Sequence, residues 1–229
     1  MSKLNILVVG STGGIGKTLL EMLRTQHNVI CHYHKKLPEA KAHYADITKF
    51  EEVSDMVQTI NREHESIDVV LIASGVSKDG FCHKFDPNTW SQVVDVNLVG
   101  PFNVIGAVLP GMRERKFGRI ITLSSVVFQN PVMGTSAYSA SKAGLVGLTR
   151  TVALENAGKG ITCNCIALGY FDAGILYQIP DDLREQIRQN IPMKRFGRVD
   201  EIYDLITYLL KAEYVTGQVI CINGGLYMI

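Results

Sequence analysis

Tyr138 and Lys142 stand four residues apart in the run Tyr-Ser-Ala-Ser-Lys, just after the breakers Pro131 and Gly134. Residues 135–154 read as a helix, and positions four apart on a helix share one face, so phenol and ammonium are expected as neighbours. A tyrosine titrates near ~10 in water and moves protons poorly at neutral pH, whereas an ammonium within ~4–6 Å favours the phenolate and lowers that value. Such a pair can give or take a proton. Ser125 closes the run Gly-Arg-Ile-Ile-Thr-Leu-Ser-Ser at 118–125, the pattern of a buried strand ending in hydroxyls, where parallel-sheet folds place their chemistry. Alone, Tyr-x-x-x-Lys arises often by chance, and a surface tyrosine under a lysine stem has the same spacing. The surrounding chain decides between the two.

The elements that must hold these groups begin with an apolar run at 4–9, then Gly10-Ser11-Thr12-Gly13-Gly14-Ile15-Gly16, then a helical pattern at 17–24. Strand, glycine loop and helix in that order suit a dinucleotide, whose pyrophosphate approaches the backbone closely and rests on the helix amino end. Gly10, Ser11, Thr12, Gly14, Ile15 and Gly16 are the expected contacts; a plain tight turn is the alternative. A second strand at 28–33 runs into His34-Lys35-Lys36, with no acidic residue before Glu39. An acidic side chain there takes a ribose 2′-hydroxyl and cationic ones accommodate a 2′-phosphate, so NADPH is expected, held by His34 and Lys35. Residues 45–48 close a short third strand, with Asp46 and Ile47 on the adenine side and Thr48 capping a helix at 49–62. A fourth strand at 68–73 brings Ala73, Ser74 and Gly75 to the cofactor.

Asp86-Pro87 opens the next helix, with Asp as cap and Pro at its first position. Pro101 has no N–H for the carbonyl of Asn97 four residues earlier, which leaves that carbonyl available to a water. A sixth strand at 161–167 ends at Leu168-Gly169, again at the cofactor. The irregular stretch at 170–180 and an amphipathic helix capped by Asp181, with Leu183, Ile187 and Ile191 at helical spacing, read as a substrate lid over 170–197. Ile175, Leu176, Tyr177 and Ile179 are placed to line an apolar channel; an oligomer contact is the plainer alternative. A helix at 199–210 and a strand at 217–222 complete the chain.

With 229 residues, 46% of them hydrophobic, 20% charged and a net charge of +1, the chain can bury one core and is expected to form a single domain over 1–229. Near-neutral charge gives no basic footprint for nucleic acid, no membrane span is expected, and the amino end lacks a signal-peptide pattern, which points to the cytoplasm. Cys31, Cys82, Cys163, Cys165 and Cys221 include no Cys-x-x-Cys pair; they are expected to be reduced packing residues, with no metal. Ala137, Ser141, Gly144 and Leu148 form a ridge of mostly small residues on the tyrosine helix that permits close packing of a second copy.

Together, Gly10-x-x-x-Gly14-x-Gly16, Asp46, Ser74-Gly75, Asn97, Ser125, Tyr138-x-x-x-Lys142 and Asn223-Gly224-Gly225 make the chain resemble the short-chain dehydrogenase/reductase family over nearly its whole length. The resemblance implies a single Rossmann-type doubly wound α/β domain with a seven-stranded parallel sheet flanked by helices on both faces. It also implies catalytic roles for Asn97, Ser125, Tyr138 and Lys142. Ser125 binds the substrate oxygen, Tyr138 handles its proton, Lys142 holds the nicotinamide ribose and tunes the tyrosine, and the Asn97 carbonyl anchors a water. Within the family, 118–125, 138–144 and 160–164 look most like 3-oxoacyl-acyl-carrier-protein reductases, whose carrier docks on basic side chains at positions that here are Lys116 and Lys159, with Arg113 and Arg115 nearby. An ordinary solvated face is the alternative. The chain departs from the family pattern at Val9, Ala73, Leu168 and Ala173, none of which is a proton-transfer group. Three functions remain open: NADPH-dependent reduction of a 3-oxoacyl thioester, oxidation or reduction of a free ketone, sugar or cyclic alcohol, and a non-catalytic nucleotide-binding subunit. A homodimer or homotetramer is expected.

Overall fold

The computed structural model describes residues 3–35 and 41–228. Seven strands, β1 (Asn5–Val9), β2 (Asn28–Tyr33), β3 (Ala42–Tyr44), β4 (Val69–Ile72), β5 (Gly118–Ser125), β6 (Ile161–Leu168) and β7 (Val219–Ile222), form one parallel sheet in the order β3-β2-β1-β4-β5-β6-β7. The helices are α1 (Gly14–Arg24), α2 (Phe50–His64), α3 (Pro87–Val94), α4 (Gly100–Arg115), α5 (Ser136–Asn156), α6 (Asp181–Asn190) and α7 (Val199–Lys211). Successive strand residues face opposite sides of the sheet. Ile6, Val8, Leu71, Ile121 and Leu123 pack with Leu19, Leu23, Ile202 and Ile206 of α1 and α7. Leu7, Val9, Val70, Ile72 and Ile120 pack with Val53, Ile60, Val104, Ile105 and Val152 of α2, α4 and α5. Burial on both faces is why the strands read as unbroken apolar runs, and the doubly wound parallel α/β sheet expected of the chain is the one found. Strand order reverses between β1 and β4, which opens a crevice at their carboxyl ends, the place where such sheets bind ligands.

Several local expectations change. The third strand stops at Tyr44 rather than continuing through 45–48, because the Asp46 carboxylate folds back to accept the Thr48 N–H at 3.1 Å and its hydroxyl at 2.8 Å. With its hydroxyl so engaged, Thr48 does not cap α2, whose amino end falls at Lys49 without a side-chain cap. Asp181 is the first helical residue of α6, and Pro180 occupies the cap position. Asp86 does cap α3, accepting the Thr89 N–H at 2.8 Å with Pro87 next to it.

Between α3 and α4 the helix widens into a π turn over Asp95–Val99, where the Gly100 N–H reaches back to the Asp95 carbonyl. The wide turn lets the chain stay helical into Pro101, which has no N–H to continue the ladder. The continuous stretch Pro87–Arg115 is long and apolar enough to cross a bilayer. Here it is a core helix, burying Val93, Asn97, Val104, Ile105, Val108 and Met112.

The ridge on α5 faces inward. Ala137 and Ser141 are wholly buried, and a Cβ on Gly144 would stand 2.5 Å from Leu98 of the π turn. Small residues there bring two segments of one chain together, while Leu148 stays half-buried.

Candidate active site

Ser125 ends β5 at the carboxyl edge of the sheet, and α5 begins eleven residues later at Ser136. Tyr138 lies in the first turn of α5 and Lys142 in the next, which brings phenol and ammonium to the same edge. The Ser125 hydroxyl accepts the Val127 N–H at 3.4 Å and lies close enough to the Tyr138 phenol to draw its pKa down. The Lys142 ammonium lies 5.5 Å from the Tyr138 ring centroid and donates to the Leu123 carbonyl at 2.8 Å. A Cβ on Gly75 would stand 3.4 Å from Lys142 Nζ, so the loop after β4 closes over the lysine. Asn97 is wholly buried and clamps that loop. Its Oδ1 accepts the Val76 N–H at 2.8 Å, and its Nδ2 donates to the Val76 carbonyl at 2.8 Å and the Ser141 hydroxyl at 3.1 Å. The four residues expected to be catalytic therefore form one connected set.

The electrostatics correct one expectation. Burial pushes the Tyr138 phenol up to about 12, against a smaller opposite pull from the nearby Ser125 hydroxyl. Burial also brings the Lys142 ammonium down to about 8. The lysine does not make the phenol acidic in this geometry: the ammonium lies over the ring and donates to a main-chain carbonyl, and lost hydration governs the phenol. At neutral pH the phenol keeps its proton, the state required of a donor.

The glycine turn meets the crevice between β1 and β4. Gly10 has φ +81°, and a Cβ there would stand 2.7 Å from the Ser74 backbone; a Cβ on Gly16 would stand 2.3 Å from the Gly10 carbonyl. Beside them the buried Ser74 hydroxyl has no hydrogen-bond partner among the described residues. A backbone cradle that admits no side chain, at a helix amino end and next to an unpaired hydroxyl, fits a dinucleotide. Thr12 and Ile15 are half-buried on this turn, but the Ser11 hydroxyl is turned inward to the His32 carbonyl at 2.8 Å.

At the tip of β2, His34 and Lys35 are exposed, and His34 Nε2 lies 3.8 Å from an Asp46 carboxylate oxygen. Burial opposes ionisation of Asp46, yet the two bonds from Thr48 prevail and hold its carboxyl below the usual range. The Ile47 carbonyl accepts from Asn103 Nδ2 at 2.9 Å. At the other end of the edge, Leu168 pairs in register with Ser125, and a Cβ on Gly169 would meet Asn223 at 2.8 Å.

The excursion after β6 is pinned at its base, where the Gly197 N–H donates to the Tyr170 carbonyl at 2.9 Å and the Asp172 N–H to the Gly197 carbonyl at 2.8 Å. Leu176 packs inward, whereas Tyr177 is exposed and donates to Asp172 at 2.8 Å; the side chain of Ile175 lies outside the described residues. Its first part reaches the glycine turn, since a Cβ on Gly14 would stand 2.5 Å from the Gly174 backbone.

A family model described as enoyl-(acyl carrier protein) reductase matches residues 18–227. A 3-oxoacyl-acyl-carrier-protein reductase of Staphylococcus epidermidis is 36% identical over 239 residues, covering 97% of this chain and 98% of the relative. The chain belongs to the short-chain dehydrogenase/reductase family. Nodulation protein G of Azospirillum brasilense is 36% identical over 99% of both chains, and an acetoacetyl-CoA reductase of Shinella zoogloeoides is 35% identical over 97% of this chain and 98% of its own. As a short-chain dehydrogenase/reductase the protein is an oxidoreductase.

Lys116 and Lys159 are not at the edge where this family's serine, tyrosine and lysine gather. They precede β5 and β6, at the opposite end of the sheet, where a Cβ on Gly160 would stand 2.4 Å from the Lys116 carbonyl. Arg113 and Arg115 are tied inward, to Asn156 at 2.6 Å and the Ile67 carbonyl at 2.8 Å.

Sequence reasoning missed Ser141, Asn103 and His32, whose parts are played through hydrogen bonds to residues 44, 56 and up to 22 positions away. It also missed the recess of about 280 Å³ lined by Cys82, Phe85, Pro87, Trp90 and Ser136, beside the start of α5. Among the described residues, His43, Glu63 and His64 place ligating atoms within 4.8 Å of one another. Lys41 already holds Glu63 at 2.8 Å, and the group stands apart from the serine and tyrosine.

Proposed function

We propose that the protein is an NADPH-dependent reductase of 3-oxoacyl thioesters, with the acyl group carried on an acyl carrier protein or coenzyme A. The observation that carries this reading is the convergence of Ser125, Tyr138 and Lys142 beside a glycine-lined crevice. The curated relatives, two of which are named as reductases of 3-oxoacyl or acetoacetyl thioesters, support the substrate class. A bound nicotinamide supplies the hydride.

This chain's own residues do the rest. The Ser125 hydroxyl donates to the substrate carbonyl and fixes its oxygen next to the phenol. Tyr138, which holds its proton at neutral pH, passes it to that oxygen as the hydride reaches the carbon. Lys142 keeps a positive charge beside the developing oxyanion, and Asn97 holds the loop that packs against the lysine. The base-pinned segment over 170–197 serves as the lid. His34 and Lys35 meet the 2′-phosphate; because Asp46 stands beside His34, Lys35 carries the larger share.

The carrier, when it is the donor, docks at Lys116 and Lys159. Eight strand residues separate the two ends of β5, roughly 25 Å at about 3.3 Å per residue. An acyl arm delivered from that patch to its own serine has to cover that distance.

Loss of NADPH absorbance with acetoacetyl-CoA tests the whole reading. Wild type should turn over, and Tyr138→Phe should lose at least ~100-fold in kcat while still binding the cofactor. Equal rates in the two proteins, or turnover of free ketones with none of the thioester, would sink it.

A further inference from the structure

His32 is only 3% exposed, and both its ring nitrogens are engaged. Nδ1 accepts the Gly10 N–H at 3.2 Å, and Nε2 lies 2.9 Å from the Ala45 carbonyl. An amide N–H can only donate and a carbonyl only accept, so the ring is fixed as the neutral tautomer with its proton on Nε2. The main-chain carbonyl of the same residue accepts from the Ser11 hydroxyl at 2.8 Å and the Ser11 N–H at 3.3 Å. One residue thus ties the glycine turn to the residue just before Asp46. On the dinucleotide reading above, those are the two walls of the adenosine side.

We propose that His32 is a positioning residue that sets the glycine turn for the cofactor's phosphates and releases it on protonation. A second proton on Nδ1 would turn an acceptor into a donor facing the Gly10 N–H, and two donors cannot share that space. The groups around the ring are His34 at the end of its own strand, His43 opposite it on β3, and Asp46 in the following turn. Burial is the largest influence and disfavours the imidazolium. The Ala45 hydrogen bond and Asp46 favour it, the two histidines oppose it, and the balance leaves His32 below its usual 6.5. The ring is therefore neutral at neutral pH, and the tie is lost only as pH falls through the folded-state value, which lies below 6.5.

NADP+ binding measured by titration calorimetry between about pH 5 and pH 8, on wild type, His32→Gln and His32→Leu, tests this. Glutamine can accept and donate at the same places but cannot take up a proton. Its affinity should match wild type within about threefold at pH 8 and decline less steeply than that of wild type as pH falls. Leucine removes both bonds, so NADP+ should bind about tenfold more weakly than to wild type at pH 8, roughly the effect of one lost buried hydrogen bond, with the change in the cofactor KM more than in kcat and the gap narrowing as pH falls. A glutamine variant that follows the wild-type pH profile, or a leucine variant that binds as wild type does, overturns the proposal.

If wild type binds neither NADP+ nor NAD+ at any pH, the functional reading falls, and thermal melting still decides the role of His32. Stability that depends on the neutral ring is present above about 6.5 and lost below it. That acid-side loss should be absent from His32→Gln, and an equal loss in both proteins overturns the tie.

Discussion

Lys142→Met measures what it costs to keep a charge where Lys142 sits. The ammonium is wholly buried beside the Tyr138 ring, and its affinity for a proton drops from 10.5 to about 8. At roughly 1.4 kcal/mol per pKa unit, holding that proton in the folded state at neutral pH costs on the order of 3 kcal/mol. The sign follows from linkage. A base whose folded value lies below its unfolded one is least favourable to folding at low pH, and the penalty fades as pH rises past about 8 toward 10.5. Methionine carries no charge and has a similar stem, although it gives up the bond to the Leu123 carbonyl, a loss of about 1–2 kcal/mol that does not vary with pH. The informative quantity is therefore the difference between the proteins at two pH values, in which the constant packing terms cancel. Denaturant unfolding at about pH 6 and about pH 10 should show the stability of the variant relative to wild type falling by on the order of 2.5 kcal/mol as pH rises. The variant should also be inactive throughout. A pH-independent difference, or one of opposite sign, would refute the picture of a buried, costly cation.

Three further outcomes are expected. Lys35→Asp combined with His34→Ala should move preference from NADPH toward NADH, read as the ratio of kcat/KM values for the two; an unchanged ratio would place the 2′-phosphate elsewhere. Lys116→Glu with Lys159→Glu should raise the KM for a carrier-bound substrate about tenfold and leave the coenzyme A thioester unaffected, whereas equal effects on both would remove the docking assignment. Asn97→Ala leaves both main-chain groups of Val76 without partners, so melting should show a loss of about 2–4 kcal/mol, and an undisturbed midpoint would mean that the clamp is not needed.

Apolar runs bounded by glycines and caps were enough to read the sheet, because strands covered on both faces carry their hydrophobicity without interruption. Asp86-Pro87 and the end of β5 at Ser125 were legible for the same local reasons. Asp46 was misjudged because a turn closed by its own side chain looks, in sequence, like the continuation of a strand. The ridge at Ala137, Ser141 and Gly144 was visible as small residues, but only packing against Leu98 shows that it faces inward. The proton chemistry was half legible. Spacing placed Tyr138 and Lys142 together, yet whether attraction or lost hydration governs the phenol depends on where the ammonium points and how deeply both are buried. His32 carried no motif, since its importance rests on a tautomer fixed by partners on two other segments.

On the proposed function, the contact between Gly14 and Gly174 ties two binding events to a single piece of backbone. The stretch of chain that touches the amino end of α1 runs directly into α6, so on that reading a phosphate settling on the helix end and an acyl chain lying along the excursion both act on it. Such coupling is reciprocal: whatever factor a dinucleotide imposes on the affinity for the thioester, the thioester returns in equal measure. A dissociation constant obtained with either molecule alone is then not the constant that holds when both are aboard.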